Sequence, residues 1–98
     1  MKRSEIVRKE KKIFLEIWNE RSHSCIECSR KISRPSAINF SHYLSKGAFP
    51  ELRFEKKNID ILCSDCHFRF EFNDRKNMKI YSEERTTELK QLANKLRK

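Results

Sequence analysis

The feature that most constrains the fold of this chain is a pair of Cys-x-x-Cys motifs. All four cysteines belong to them, Cys25 with Cys28 and Cys63 with Cys66. Two close pairs of thiolates suit a closed tetrahedral zinc site, with zinc–sulfur bonds of about 2.3 Å. A redox pair, an iron–sulfur cluster and free thiols stay open as alternatives, although no thioredoxin-like strand–helix–strand pattern surrounds either motif. We therefore predict a structural zinc ion that joins two distant parts of the chain.

A structural metal matters because the chain is short. Its 98 residues fit one domain, and a domain of this size buries only a modest core. Zinc binding contributes on the order of 10 kcal/mol to folding in small zinc domains, as much as the whole net stability of many proteins. We predict a single domain with its core at about residues 21–77 and flanking helices at about 3–20 and 82–98.

The two flanking segments have the pattern of amphipathic helices. In residues 3–20, apolar side chains such as Ile13 and Ile17 recur at helical spacing among charged ones. In residues 82–98, leucines recur in the same way, and Ser82 is a suitable N-cap. Both segments are predicted to be helices that cover the core.

Two strands are predicted between the cysteine motifs. Residues 37–44 alternate with period two, which places Ile38, Phe40 and His42 on one face of a strand. Residues 58–62 form a second short strand that pairs back on the first.

The segment after Cys63 allows two interpretations. Phe68, Phe70 and Phe72 alternate as in a strand, but Phe68 and Phe72 are also four residues apart, as on a helix face. We favour the helix, because Asp65 suits its first turn. The predicted fold class is therefore α+β.

The charge of the chain points to a polyanionic partner. With 23 Lys and Arg against 14 Asp and Glu, the net charge is +9. Nucleic acid is the leading candidate partner, an anionic membrane surface is second, and plain solubility is the alternative. No apolar run approaches the roughly 20 residues of a membrane span, and the basic N-terminus lacks the apolar core of a signal peptide. We expect a cytoplasmic protein, in a reducing compartment where Cys-x-x-Cys pairs favour metal binding over disulfides.

Three residues occur in an order that resembles a known family. His42, Asn58 and then His67, directly after the second Cys-x-x-Cys, follow the order of the HNH endonucleases, also called His-Me finger or ββα-metal nucleases. Within this family, the run SHYLSKGAFPELRFEKKNIDILCSDCH is especially similar to phage recombination nucleases of the NinG/Rap type. Those nucleases carry similar short motifs in the same order: HY, GA, PELRF, an Asn and CxxCH. The resemblance covers roughly residues 25–73.

The resemblance implies a zinc-stapled ββα-metal domain that acts as a metal-dependent DNA endonuclease. It implies a β-hairpin with His42 on its first strand, closed by a helix that bears His67, with one Mg²⁺ or Mn²⁺ between them. His42 would take a proton from the water that attacks the phosphodiester, and Asn58 would hold the His42 ring by a hydrogen bond. His67 would bind the cation, which stabilises the charge of the transition state. The phage relatives suggest branched or recombination-intermediate DNA as substrate.

The sequence departs from the common HNH pattern at one position. Many members carry Asp or His directly before the general base, as a second metal ligand, whereas this chain has Ser41. Glu71 is one substitute, since it would share a helix face with His67. Asn39 is the other, although strand alternation would point it away from His42 unless the strand is bulged.

Basic residues flank the proposed site and are candidates for phosphate contacts. They are Arg53, Lys56, Lys57, Arg69, Arg75 and Lys76. Two other functions stay open. One is a non-catalytic zinc-finger module that binds nucleic acid, which Ser41 favours. The other is a protein-interaction domain whose end helices pair between chains; a homodimer is left open.

Overall fold

The computed structural model describes residues 2–97 and contains three α-helices and a two-stranded antiparallel sheet. The elements in chain order are α1 Arg3–Glu20, β1 Phe40–His42, β2 Ile59–Ile61, α2 Ser64–Phe72 and α3 Glu83–Arg97. The predicted α+β class is confirmed. The strands pair in the register Phe40 with Ile61, Ser41 with Asp60 and His42 with Ile59. Because α2 follows directly after β2, the hairpin and this helix form one continuous ββα unit.

One face of the hairpin packs against α1. Ile17 of α1 and Ile59 of β2 are fully buried in this contact. The ring of Phe14 stacks on Phe40 with 4.5 Å between ring centroids and an interplanar angle of 4°. The apolar stripe of α1 thus covers the same strand face that carries His42.

A second core lies between the cysteines, α2 and α3. Its buried members include Leu52, Leu62, Phe70 and Leu89 as well as three of the four cysteines. On this side of the hairpin, the Asp60 carboxylate accepts two hydrogen bonds from Arg85 of α3, at 2.9 and 3.0 Å. This pair fixes α3 to the back of the sheet.

The predicted strands are longer than the observed ones. Residues Ala37–Asn39 and Lys56–Asn58 form 3₁₀ turns instead of strand ends. The Asn39 side chain closes the first turn, because its Oδ1 accepts a hydrogen bond from the Ser36 N–H at 3.1 Å. As a result Ile38, expected on the buried face, is 52% exposed.

The helix predictions are confirmed. The segment after Cys63 is helical rather than extended, with Asp65 in its first turn. Ser82 caps α3, since its Oγ accepts a hydrogen bond from the Arg85 N–H at 2.9 Å. Position 98, included in the predicted helix, lies outside the described residues. Within residues 2–97, no helix combines the length and apolar character needed to cross a bilayer.

Candidate metal centre and histidine cleft

The four cysteines lie close together, as their spacing in the sequence predicts. The Sγ atoms of Cys25, Cys28, Cys63 and Cys66 all lie within 4.8 Å of one another. Those of Cys28 and Cys63 are 3.7 Å apart. A tetrahedral zinc ion with 2.3 Å bonds separates its sulfur ligands by about 3.8 Å, so the cluster has the dimensions of a four-thiolate zinc site.

The first cysteine motif sits in a tight turn. The Cys25 N–H donates to the Arg30 carbonyl at 2.8 Å, and Ser24 bridges to Lys31 across the turn. Reversing the chain in so few residues forces Ser29 into the left-handed region, with φ of 69°. Only glycine adopts that region without a steric cost. The turn therefore presents both thiols to one point at the expense of local strain.

The environments of the thiols differ. A hydrogen bond from the Arg30 backbone N–H is the main reason why the pKa of Cys28 falls to about 7. Burial raises the pKa of Cys63 and of Cys66. Cys28 is thus more readily available as a thiolate, the form that binds metal, than Cys63 or Cys66.

A separate cleft lies between α1, β1 and α2. It has a volume of about 380 Å³ and contains both His42 and His67. The residues that line it are Glu10, Phe14, Ala37, Phe40, His42, Ser45, Lys46, Gly47, His67 and Glu71. The strand and the helix that the resemblance implies therefore do bring the two imidazoles to one cavity.

The hydrogen bonding of His42 defines its tautomer. Its Nε2 lies 2.8 Å from the backbone carbonyl oxygen of Arg53. A carbonyl only accepts, so Nε2 carries the proton and Nδ1 keeps its lone pair. Burial lowers the pKa of His42 below its usual value of 6.5, with Lys46 adding to the effect. At neutral pH the ring is a neutral base.

Asn58 does not hold the His42 ring, contrary to the expected contact. Its side chain is fully buried and bonds the backbone of Leu44 twice: Oδ1 accepts from the N–H at 2.8 Å, and Nδ2 donates to the carbonyl at 2.9 Å. Its own carbonyl accepts from the Tyr43 N–H. Asn58 thus fixes the start of the loop after β1, and a carbonyl further along that loop orients His42.

A backbone carbonyl orients the ring of His67. Its Nδ1 donates to the Ile38 carbonyl at 2.5 Å, so the neutral ring has its lone pair on Nε2. The Glu71 Oε1 lies 3.7 Å from that Nε2, one helical turn along α2. Both side chains are partly exposed, so these two atoms form an accessible pair of donors for a cation.

The side chains of Asn39 and Ser41 do not reach the cleft. Both polar atoms of the Asn39 amide are hydrogen-bonded to the backbone: Oδ1 accepts from the Ser36 N–H, and Nδ2 donates to the Leu62 carbonyl at 3.0 Å. Ser41 lies on the strand face opposite His42, beside Asp60, and its buried Oγ has no hydrogen-bond partner among the described residues. Neither residue lines the cleft. Of the two substitute ligands, only Glu71 is placed there.

The six basic residues predicted to contact phosphate fall into two groups. Lys56 forms ion pairs with Glu16 and Glu20, and Arg69 pairs with Asp74. The Arg75 guanidinium lies over the Phe70 ring. Within residues 2–97, the side chains of Arg53, Lys57 and Lys76 form no ion pair and are the more available ones.

Sequence reasoning missed two charged residues in the cleft. Glu10 comes from α1, and its carboxylate pairs with the Lys46 ammonium at 3.2 Å. Lys46 lies four residues after His42, inside the run SHYLSKGAFPELRFEKKNIDILCSDCH that carries the family resemblance. Its place in that run is the one signal that could have identified it. Glu10 gives no such signal, because α1 has many charged residues.

The fold and its two sites define a small α+β protein in which four cysteines are positioned to hold a metal ion, consistent with structural zinc. The family model described as "NinG: Bacteriophage Lambda NinG protein" matches residues 1–90. The chain therefore belongs to the NinG family. No curated protein and no solved structure is significantly similar to it.

Proposed function

We propose that this chain is an HNH-type, metal-dependent endonuclease of the ββα-metal class that hydrolyses DNA phosphodiesters. The observation that carries the proposal is that His42 and His67 line one cleft. Because the other ring nitrogen of each donates to a backbone carbonyl, the neutral ring of His42 has its lone pair on Nδ1 and that of His67 has it on Nε2. A base and a cation ligand are the two parts that hydrolysis of a phosphodiester requires.

His42 is the general base of this proposal. A water molecule in the cleft gives its proton to Nδ1 as its oxygen attacks phosphorus. The bond from Nε2 to the Arg53 carbonyl keeps the ring oriented and stabilises the imidazolium that forms. The lowered pKa keeps the ring in its basic form at neutral pH.

His67 and Glu71 are the residues that would hold the catalytic Mg²⁺ or Mn²⁺. Such an ion, when bound, supplies positive charge to the transition state and to the leaving oxygen. One imidazole and one carboxylate on a single helix turn leave most coordination positions to water and substrate, as Mg²⁺ prefers. The ion would exchange readily, unlike a metal held by four thiolates.

Family membership and charge support the choice of substrate. The NinG family supports a phage recombination-related role, and the net charge of +9 suits a nucleic acid. Branched or recombination-intermediate DNA is therefore the substrate to test first. Arg53, Lys57 and Lys76 are the proposed phosphate contacts, which position DNA without reading its sequence.

A non-catalytic zinc module that binds nucleic acid is the second candidate. It is favoured by the small number of donors in the cleft, since Ser41 and Asn39 contribute none. The two candidates differ in a single outcome, cleavage by the wild-type protein.

The test is incubation of zinc-loaded protein with linear, nicked and four-way-junction DNA in Mg²⁺, Mn²⁺ or EDTA. We expect cleavage with a divalent ion, no cleavage in EDTA, and a loss of about 10²–10⁴-fold in His42→Ala with DNA binding retained. His23→Ala is the matched control, because His23 stacks on Trp18 outside the cleft. Binding without cleavage by wild type on all three substrates would leave the zinc-module candidate.

A further inference from the structure

We infer that Lys46 is the phosphate-contacting cation of the cleft and that Glu10 of α1 holds it in place. The inference rests on the proposed nuclease function and adds a catalytic residue and a positioning residue to it. It also makes α1, otherwise a cover for the hairpin, part of the active site.

The geometry places this pair beside the base. Lys46 follows β1 after a short connection, and it lines the same cleft as His42 and His67. Its ammonium lies 3.2 Å from the Glu10 carboxylate, whose side chain is 13% exposed while that of Lys46 is 43% exposed. Glu10 is thus mostly buried in the side of the cleft, and Lys46 is the more exposed member of the pair.

The charges of the pair also act on the base. Burial is the main cause of the lowered pKa of His42, the positive charge of Lys46 adds to it, and the negative charge of Glu10 opposes it. Both groups are therefore close enough to the reacting centre to influence charge that develops there.

The charged groups that line the cleft single out Lys46. It is the single Lys or Arg among the lining residues drawn from 2–97, against the carboxylates of Glu10 and Glu71. A divalent ion held by His67 and Glu71 would supply most of the positive charge that attracts phosphate in the ground state. Lys46 is then the one positive side chain of the lining that can stabilise the further negative charge that develops on the phosphoryl oxygens.

Lys46 gains a second partner when substrate enters. In the free protein the ammonium is paired with Glu10, and a phosphate oxygen in the cleft offers a second negative group within reach of its three donors. Attack by water adds negative charge to the phosphoryl oxygens, and a fixed ammonium stabilises that charge more than it stabilises the ground state. Glu10 keeps the long side chain from moving out into solvent.

The experiment measures single-turnover cleavage and DNA affinity for Lys46→Met, Lys46→Arg, Glu10→Gln and the double variant. Lys95→Met, on the exposed surface of α3, is the control for loss of one positive charge. We expect Lys46→Met to lose about 10²–10³-fold in the cleavage step, with affinity measured in Ca²⁺ nearly unchanged. Lys46→Arg restores part of the loss, and Lys95→Met cleaves as wild type does.

Coupling between the two positions separates positioning from ordinary stability. We expect a smaller loss in Glu10→Gln and no further loss when Glu10→Gln is added to Lys46→Met. An equal loss in both backgrounds would overturn the positioning role of Glu10. Full cleavage by Lys46→Met would overturn the inference while leaving the nuclease intact, whereas failure of wild type to cleave any substrate would remove the proposed function itself.

Discussion

The cysteine cluster and the histidine cleft differ in how complete they are. The cluster brings together four identical donors within 4.8 Å, three of them on buried residues. The cleft offers one imidazole nitrogen and one carboxylate oxygen 3.7 Å apart, at the surface of a cavity of about 380 Å³. The first arrangement would enclose a metal ion on all sides, and the second would leave room for a cation, water and a phosphate.

The difference follows from the parts of the chain that hold each site together. The cysteines link two segments that are far apart in sequence, so a metal between them stabilises the whole fold. The histidines of the cleft are instead oriented by backbone carbonyls, those of Arg53 and Ile38. The cleft therefore depends on the scaffold, whereas the scaffold does not depend on the cleft.

The largest expected effect is the loss of one zinc ligand. Cys63→Ser should remove the greater part of a metal contribution on the order of 10 kcal/mol, and with it the cooperative thermal transition. Thermal unfolding followed by circular dichroism, with the zinc content measured in parallel, tests this expectation. Glu71→Gln is the counterpart in the cleft and should leave Tm and zinc content unchanged. A cooperative transition in zinc-free Cys63→Ser would contradict the scaffold role of the cluster.

The next effect concerns the ion pair behind the sheet. The Asp60 and Arg85 side chains are 6% and 24% exposed, so Asp60→Asn leaves a poorly solvated guanidinium without its partner. We expect a loss of about 3–5 kcal/mol in urea unfolding. Asp74→Asn is the matched control, because its pair with Arg69 is exposed and screened by solvent and should contribute little. Equal losses in the two variants would show that burial of the pair does not matter.

The pH dependence of cleavage tests the cleft alone. Burial places the pKa of His42 below 6.5 in the folded protein, so most of the base is neutral at pH 6.5 and above. Below the folded pKa, the cleavage rate should fall about tenfold per pH unit, equivalent to 1.4 kcal/mol. Folding stability falls at somewhat higher pH, between 6.5 and the folded pKa, because the unfolded chain protonates His42 before the folded one does; below the folded pKa this loss levels off. A midpoint clearly above 6.5 would contradict the buried, neutral base.

The smallest effect is confined to the cysteine turn. Ser29→Gly removes the steric cost of a positive φ and should raise stability by about 1 kcal/mol with zinc bound. The chemical-denaturation midpoint measures the gain, and Ser29→Ala, which keeps the Cβ, should give none. Cleavage should be unchanged in both variants. A gain from alanine equal to that from glycine would mean that the strain is not at this residue.

The features that the sequence predicted are those with strong local patterns. Spacing alone located the cysteine cluster, and helical periodicity with Ser82 located α3. The family resemblance carried by His42, Asn58 and His67 implied that the two histidines lie close together, and they line one cavity. Each of these signals depends on residue type at a fixed separation.

The features that escaped prediction depend on backbone conformation or on contacts between distant residues. The carbonyl that orients His42 belongs to Arg53, and any residue type at that position would supply it. The 3₁₀ turn before β1 is closed by Asn39 and interrupts a pattern that alternates as a strand does. Glu10 reaches the cleft only because α1 packs across the hairpin.

The most direct test of the two-metal account is a Mn²⁺ titration of zinc-loaded protein, followed by electron paramagnetic resonance. The account predicts that wild type binds one Mn²⁺ per chain without releasing zinc, and that His67→Ala loses the Mn²⁺ but keeps the zinc. Mn²⁺ binding that survives His67→Ala, or that displaces the zinc, would contradict the assignment of two separate metals to these two sites.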